Sequence, residues 1–375
     1  MKIGYDAKRA FLNNTGLGNY SRWLIKAVAD HFPGNRLFLY TPKVKANTRL
    51  NFLRDHSNIH IVTPQSGSFT SWWRTKGIVS DLERDGIDVF HGLSHELPLG
   101  ISKTGIKKVV TVHDLIFMRF PKQFGRINYF IYGAKVRYAC RVADRIIAIS
   151  QKTKEDLVEL LGISPAKIEV IFQGCDPIFS ITQSEEKLVA VKEKYKLPGK
   201  FLLSVGTIEE RKNLLLIAKA FKNIDNDVPL VVVGRQTKYA EKVKAYLAAH
   251  KLVNRVLFLQ DVAFHELPAI YQSASIFIYP SRYEGFGIPI LEALNSGTPV
   301  IAATGSCLEE AGGSHSIYVD PDDAAGLAEN INLLLADDTL RKTMSEKGLL
   351  YASKFHSDKL SLQLMQLYTT ITNHA

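Results

Sequence analysis

Cysteine is scarce in this chain, with Cys140, Cys175 and Cys307 the three among 375 residues. A number that small and odd argues against a disulfide framework and for a reducing compartment. No cluster of histidine and cysteine has zinc-ligand spacing, so no zinc site is expected. Long apolar runs are missing as well. No stretch is apolar enough to cross a bilayer, and Met1-Lys-Ile-Gly-Tyr-Asp6 enters a strand with no signal-peptide core before it, so the expectation is a cytoplasmic protein. Nothing resembles an RNA-recognition strand, a zinc finger or a basic-region helix. Negative charge is in deficit: 47 Lys and Arg against 37 Asp and Glu leave a formal net charge of +10. Such an excess suits nucleic acid, an anionic membrane surface or phosphorylated substrates, or is a diffuse surface excess with no partner. Without a nucleic-acid motif, anionic lipid and diphosphate are the favoured partners, and nucleic acid is not expected.

What the chain does contain is an alternation of short apolar strands and helical segments. Its length exceeds one ordinary core and suits two domains, and 46% hydrophobic with 22% charged residues is ordinary globular composition. The pattern is α/β throughout, with strands expected at 36–40, 59–62, 88–90, 109–112, 145–149 and 168–171, then at 201–206, 230–233, 256–259, 276–279, 300–302 and 317–319. After a first strand at Lys2–Asp6, Thr15-Gly-Leu-Gly-Asn-Tyr-Ser21 opens a helix running to about His31. A strand, a glycine turn and a helix N-terminus can hold a phosphate or a sugar, or can be a tight turn with no ligand. No third glycine stands at the dinucleotide position, so a dehydrogenase reading is poor. The polar stretch 181–199 reads as a linker with a short helix.

Three constellations carry chemistry. In Tyr279 to Pro299 a buried strand passes into a helix through a loop with Gly285 and Gly287, where a ligand can approach the backbone. Pro289 suits a first helical turn, Asn295 to Gly297 supplies the stop, and the helix N-terminus attracts anions. Glu284 precedes that helix and Glu292 lies on its second turn; two solvated glutamates are the plain alternative. Arg211 and Lys212 stand just before another helix, where they either lie in solvent or neutralise a leaving diphosphate. Phe90-His-Gly-Leu-Ser-His-Glu96 and Thr111-Val-His-Asp-Leu115 place polar residues at strand carboxyl ends, where open parallel sheets bind ligands. Two further segments, Phe69-Thr-Ser-Trp-Trp-Arg-Thr-Lys76 and Arg119-Phe-Pro-Lys-Gln-Phe-Gly-Arg126, with the helix expected at 127–141, mix aromatics with basic residues as a membrane-surface contact does, although core packing accounts for aromatics equally well.

Glu284-Gly-Phe-Gly-Ile-Pro-Ile-Leu-Glu292 resembles the E-x7-E motif of the retaining glycosyltransferases of family 4, the group 1 glycosyltransferases, in its intervening residues as well as its acids. Thr111-Val-His-Asp-Leu115 resembles the family's Thr-Ile-His-Asp-Leu. Gly206 with Arg211-Lys212-Asn213 resembles its Arg-Lys segment, departing at Thr207, where some members have another Arg, and at Glu210, where many have Pro. Gln173-Gly-Cys-Asp-Pro-Ile-Phe179 resembles its Asn-Gly-Val-Asp-x-x-Phe, departing at Gln173 and Cys175.

The resemblance implies the GT-B fold, two doubly wound Rossmann-like domains facing an interdomain cleft. The acceptor-side domain would be 1–180, the nucleotide-sugar domain 181–355, and 356–375 a final helix crossing back to the first. It implies a catalytic set of His113, Arg211, Lys212 and Glu284, with Arg211 and Lys212 on the diphosphate, and Glu284 and His113 on the donor sugar. Gly285, Phe286, Gly287 and Ile288 would approach sugar and diphosphate through their amides, Glu292 the ribose, Val262 the nucleobase, with Gly16, Gly18, Gly206 and Thr207 also near the donor. Asn19, His91 and Asp114 would face the acceptor. The activity implied is retaining transfer of a hexose such as mannose from a nucleoside diphosphate sugar to a glycan or lipid-linked glycan, with no metal or other cofactor, on or near the inner face of a membrane. Alternatives are a nucleotide-sugar epimerase or hydrolase of the same fold, or a noncatalytic basic protein binding nucleic acid.

Overall fold

A computed structural model describes residues 1–373 apart from 46, 66–69, 122–124 and 226. Phe69 and residues 122–124, parts of the two aromatic and basic segments, lie outside the described residues. The chain divides into two compact units, Met1–Gly174 with Phe355–Ala375, and Cys175–Lys354.

The described residues of the first unit form a seven-stranded sheet of β1 (Lys2–Asp6), β2 (Arg36–Tyr40), β3 (Ile59–Val62), β4 (Val89–Gly92), β5 (Lys107–Val112), β6 (Arg145–Ala148) and β7 (Ile168–Val170). Their order is β3-β2-β1-β4-β5-β6-β7, every pair parallel. Helices cover both faces of such a sheet, which is why its central strands read as unbroken apolar runs; Val109, Val110, Ile146 and Ile147 are fully buried. The strand order reverses between β1 and β4, and the loops at their carboxyl ends diverge there to leave a crevice.

The helix Ser357–Asn373 belongs to this unit, buries Leu360, Leu364 and Tyr368, and packs on the helix Gly16–His31. His31 meets Ser357 Oγ at 3.1 Å. Of the aromatic and basic segments, Trp73 is buried and donates Nε1–H to Asp81 Oδ2 at 2.7 Å, whereas Trp72 is exposed. The helix Arg126–Val142 leaves Ile127 75% and Phe130 70% exposed.

The second unit repeats the plan with six parallel strands among its described residues: β8 (Leu202–Val205), β9 (Leu230–Val233), β10 (Val256–Leu259), β11 (Ile276–Tyr279), β12 (Val300–Ala303) and β13 (Ile317–Val319). The order is β10-β9-β8-β11-β12-β13, with the reversal between β8 and β11. The stretch expected as a linker with a short helix holds the helix Glu185–Tyr195, which is capped by Ser184 Oγ and built into this unit. Tyr195 Oη and Lys194 Nζ donate to Glu266 at 2.5 and 2.8 Å, and Val191 is buried. The short helix expected within 181–199 is therefore present, and what its one buried apolar side chain did not disclose is the polar anchorage to Glu266.

Candidate active site

β8 and β11 are hydrogen-bonded neighbours at the reversal, so the loops after them leave from adjacent strand ends. Arg211 and Lys212 sit in the 3₁₀ turn Glu210–Lys212 after β8, and Asn213 closes it at φ 58°. Glu284 lies in the loop after β11, 72 residues from Lys212 in sequence, yet accepts from it at 3.1 Å through Oε1. The same Oε1 accepts from Ser281 Oγ at 2.8 Å and Tyr279 Oη at 2.9 Å, while Oε2 pairs with Arg211 Nη1 at 2.7 Å.

Both cations are fixed in turn. Arg211 donates to the Tyr283 carbonyl and, through Nη2, to Glu209 Oε1 at 2.6 Å. Lys212 Nζ donates to Tyr279 Oη at 2.5 Å and lies 4.8 Å from the centre of its ring. Burial alone would push the Glu284 carboxyl up, but the charges of Lys212 and Arg211, with hydrogen bonds from Arg211 and Ser281, bring it down to about 2. Burial works against the Arg211 guanidinium, and the charges of Glu284, Tyr279 and Glu209 together with the Glu284 hydrogen bond more than offset it. The arrangement is therefore an ionised carboxylate holding two directed cations.

The loop is clamped from behind. Cys307, fully buried, shares its S–H between the carbonyls of Glu284 and Phe286, at 3.0 and 3.1 Å. Gly287 adopts φ 130° at the start of the helix Ile288–Asn295, and a Cβ there would meet Leu308 and Ala311 at 3.2 Å. Its glycine is thus required by backbone conformation and packing. The N-cap position of that helix is Gly287 itself, which has no side chain to cap it. Glu292 is buried and accepts from Tyr271 Oη at 2.9 Å. Gly206 has φ 141°, and a Cβ there would lie 3.2 Å from the Lys212 side chain. Thr207 and Val262 are half-buried, the latter following Asp261 at φ 55°.

In the first unit, the carboxyl ends of β4 and β5 assemble a group of histidines. His113 is 5% exposed; its Nε2–H donates to the Leu93 carbonyl at 2.8 Å, and its ring stacks on His95 and meets the edge of Tyr20. Burial, reinforced by His95, pushes its pKa well down, so the ring is neutral. His95 occupies φ 64°, and its Nε2 accepts from the His113 amide at 3.3 Å.

His91, expected to face an acceptor, has no exposed surface: Nδ1 meets Tyr368 Oη at 2.6 Å and Nε2 meets Thr111 Oγ1 at 2.7 Å. It ties the last helix to the sheet. Asn19 Oδ1 is taken by Arg22 and Arg49 at 2.6 and 3.0 Å, and Asp114 Oδ1 accepts from the Ile116 amide. Gly18 is explained by its own loop, since a Cβ would lie 1.8 Å from the Asn13 carbonyl oxygen. Gly16 has open space around it.

The sequence reading missed Tyr279, Ser281, Cys307 and His95. Tyr279 and Ser281 flank Pro280 within the stretch singled out, but nothing in their spacing shows that both hydroxyls turn onto Glu284. Among the described residues no group of three His, Cys, Asp or Glu side chains could hold a metal ion, and no helix is long and apolar enough to cross a membrane.

Two doubly wound parallel-sheet units, with a cation pair and a carboxylate gathered at the strand reversal of the second, define the GT-B class of glycosyltransferase. The chain superposes on the Anabaena HepE structure in complex with UDP and glucose, with a TM-score of 0.76 at 20% identity, covering 99% of this chain and 100% of that one. Residues 187–350 match the family described as glycosyl transferases group 1, and residues 15–178 match glycosyltransferase family 4. The chain belongs to the group 1 glycosyltransferases. Among its relatives, the O-antigen chain mannosyltransferase B of Escherichia coli is 25% identical over 285 residues, 75% of this chain and 74% of the relative. The O-antigen chain mannosyltransferase RfbU of Salmonella typhimurium is 30% identical over 229 residues, 61% of this chain and 60% of the relative.

Proposed function

We propose that this glycosyltransferase moves mannose from a nucleoside diphosphate to a hydroxyl of a lipid-linked glycan, with retention at the anomeric carbon. The observation that carries the reading is the convergence of Arg211, Lys212 and Glu284 within hydrogen-bonding distance of one another. Diphosphate departure moves negative charge onto the leaving oxygens, and prefixed donors stabilise that charge without reorganising, each by roughly 3 kcal/mol. Arg211 and Lys212 take that role. Glu284 aligns them and accepts from a sugar hydroxyl, and His113, neutral and aimed by Leu93 and His95, positions a sugar. The glycosidic C–O bond breaks towards the diphosphate, the acceptor oxygen bonds to the anomeric carbon from the same face, and a leaving phosphate oxygen takes the acceptor proton.

Donor screening by calorimetry, followed by nuclear magnetic resonance of the product, tests this. The expected product keeps the donor's anomeric configuration. An inverted linkage refutes the class of mechanism, and rapid hydrolysis or epimerisation without acceptor favours the other activities of this fold. The mannose and O-antigen names of the two relatives support the choice of sugar and acceptor.

The same reading includes contact with an anionic membrane surface through Ile127 and Phe130, apolar residues left in solvent on a chain of net charge +10. Co-sedimentation with anionic vesicles is expected, falling at least fivefold in Phe130→Glu; equal sedimentation of the two proteins removes the contact.

A further inference from the structure

A cavity of about 360 Å³ opens in the first unit where the strand order reverses, with Asp6 of β1 on one side and Phe90 of β4 on the other. Its volume falls in the roughly 300–1,000 Å³ range of small-molecule sites, and a reversal point is where open parallel sheets place them. None of the residues assigned above to donor or sugar lines it. Its walls are aliphatic and aromatic, among them Ile78, Leu97, Leu99 and Tyr138. Tyr138 pins the loop that carries Leu97 and Leu99, donating Oη–H to the Pro98 carbonyl and accepting from the Gly100 amide, both at 3.2 Å. The Leu99 amide donates across the cavity's edge to the Thr75 carbonyl at 2.7 Å. The walls are therefore built, with hydrogen bonds holding three separate segments around the space.

The charged groups at the cavity are balanced two against two. Arg74 pairs with Asp6 at 2.5 Å and with Glu96 at 2.6 Å, and Lys135 reaches Glu96 at 3.2 Å. A phosphate entering here would have to displace two carboxylates from Arg74 and then lie beside them, so the occupant is uncharged. A sugar would meet polar groups already committed to each other, against a wall surface that is mainly apolar.

A second observation points to hydrocarbon. On the helix Arg126–Val142, Ile127, Ile131, Ala134 and Tyr138 recur at spacings of four, three and four, which is one stripe of a helix. Ile127 and Ile131 at one end are exposed, whereas Ala134 and Tyr138 at the other line the cavity. An apolar track therefore leads from open surface into a largely apolar cavity, a continuity that single exposed apolar residues do not have. We propose that this cavity takes the hydrocarbon chain of the lipid-linked acceptor, laid along that stripe with its inner end beside Phe90 and Leu97. The proposal rests on the transferase reading above for the identity of the ligand, but its geometry does not depend on the donor site.

The experiment uses the full chain and methyl, octyl and dodecyl mannosides, the last two below their micelle concentrations. Binding is measured by calorimetry without donor, and KM is measured with donor. Each methylene buried is worth about a fourfold change in affinity, so at least a 30-fold tightening from methyl to dodecyl is expected. Ala134→Trp, which fills the cavity from an exposed helical position, is expected to reduce that gain to threefold or less. Thr75→Trp blocks it from the opposite wall and serves if the first variant folds poorly. Chain-length dependence retained in both variants, or absent from the unaltered protein, overturns the proposal. The two readings fail separately: chain-dependent binding with no sugar transfer supports the cavity and removes the activity, whereas transfer indifferent to chain length supports the activity and removes the cavity.

Discussion

Lys212→Ala is expected to lower kcat by about 100- to 1,000-fold, the loss seen when one preorganised donor to a developing oxyanion is removed. The donor KM should change much less. The reason lies in how Lys212 is held: its ammonium donates to Tyr279 Oη and to Glu284, and lies 4.8 Å from the centre of the Tyr279 ring. A lysine free in solvent would lose rotamer entropy on meeting a diphosphate and would bind ground and transition states alike. One already fixed spends nothing at the moment of bond breaking, so its effect falls on the step in which charge accumulates. Lys212→Arg is not expected to rescue the activity. The Lys212 side chain passes over Gly206, at whose position a Cβ would lie 3.2 Å away, and a planar guanidinium has neither the shape nor the donor directions to replace it there. Steady-state kinetics with the best donor decides the matter, and a Lys212→Ala enzyme with undiminished turnover removes Lys212 from the chemistry.

How much of this was legible in the sequence differs by kind of interaction. Strands β2, β3, β9, β10, β11 and β13 fall on the residues expected, because buried parallel strands write themselves as short apolar runs such as Ile276–Tyr279. The helix Glu185–Tyr195 was half-hidden because its anchorage is polar and distant, Tyr195 and Lys194 reaching Glu266 about seventy residues on. Glycines were read by their freedom near a ligand, and here two of them answer to the protein itself. Gly18 makes room for the Asn13 carbonyl and Gly287 for Leu308 and Ala311. A sequence shows that a side chain is missing without showing what occupies the space.

Histidines were the harder case. His91 lies near the carboxyl end of β4 and His113 just after β5, and both looked available for a ligand. The partner that closes off His91 is Tyr368, 277 residues later, on a helix whose place against this sheet no local pattern discloses. At the cation pair, type and position were visible but convergence was not. Arg211 and Lys212 meet Glu284 because β8 pairs with β11 across the reversal, a fact of strand order that came into view through family resemblance and not through spacing. Tyr279 and Ser281 illustrate the remainder. Each is an ordinary residue at the end of a strand until the loop turns both hydroxyls onto one carboxylate oxygen.

Glu284→Gln should produce a loss comparable to that of Lys212→Ala, together with a stability change that Lys212→Ala alone does not predict. The amide keeps the shape of the side chain but removes the charge that faces Arg211 and Lys212, leaving Arg211 to Glu209 and taking from partly buried Lys212 the carboxylate it donates to. Breaking a buried pair from one side costs about 3–5 kcal/mol, and the same relaxation lets the cations drift from the positions that a departing diphosphate needs. The pH dependence gives the signature. The Glu284 carboxyl is depressed in the folded protein to about 2, from an ordinary value of 4.5, so the unfolded chain takes up its proton first as pH falls. The stabilisation it gives is therefore complete above about pH 4.5 and fades between there and about pH 2. Glutamine has no such proton to take up. The stability gap between the two proteins should be widest near neutrality and close progressively below pH 4.5, as read from urea unfolding midpoints at pH 7 and pH 3. A gap equally wide at both values would mean that the variant is weakened by something other than the lost charge. Should the gap close while turnover is unaffected, Glu284 holds the loop together and takes no part in transfer.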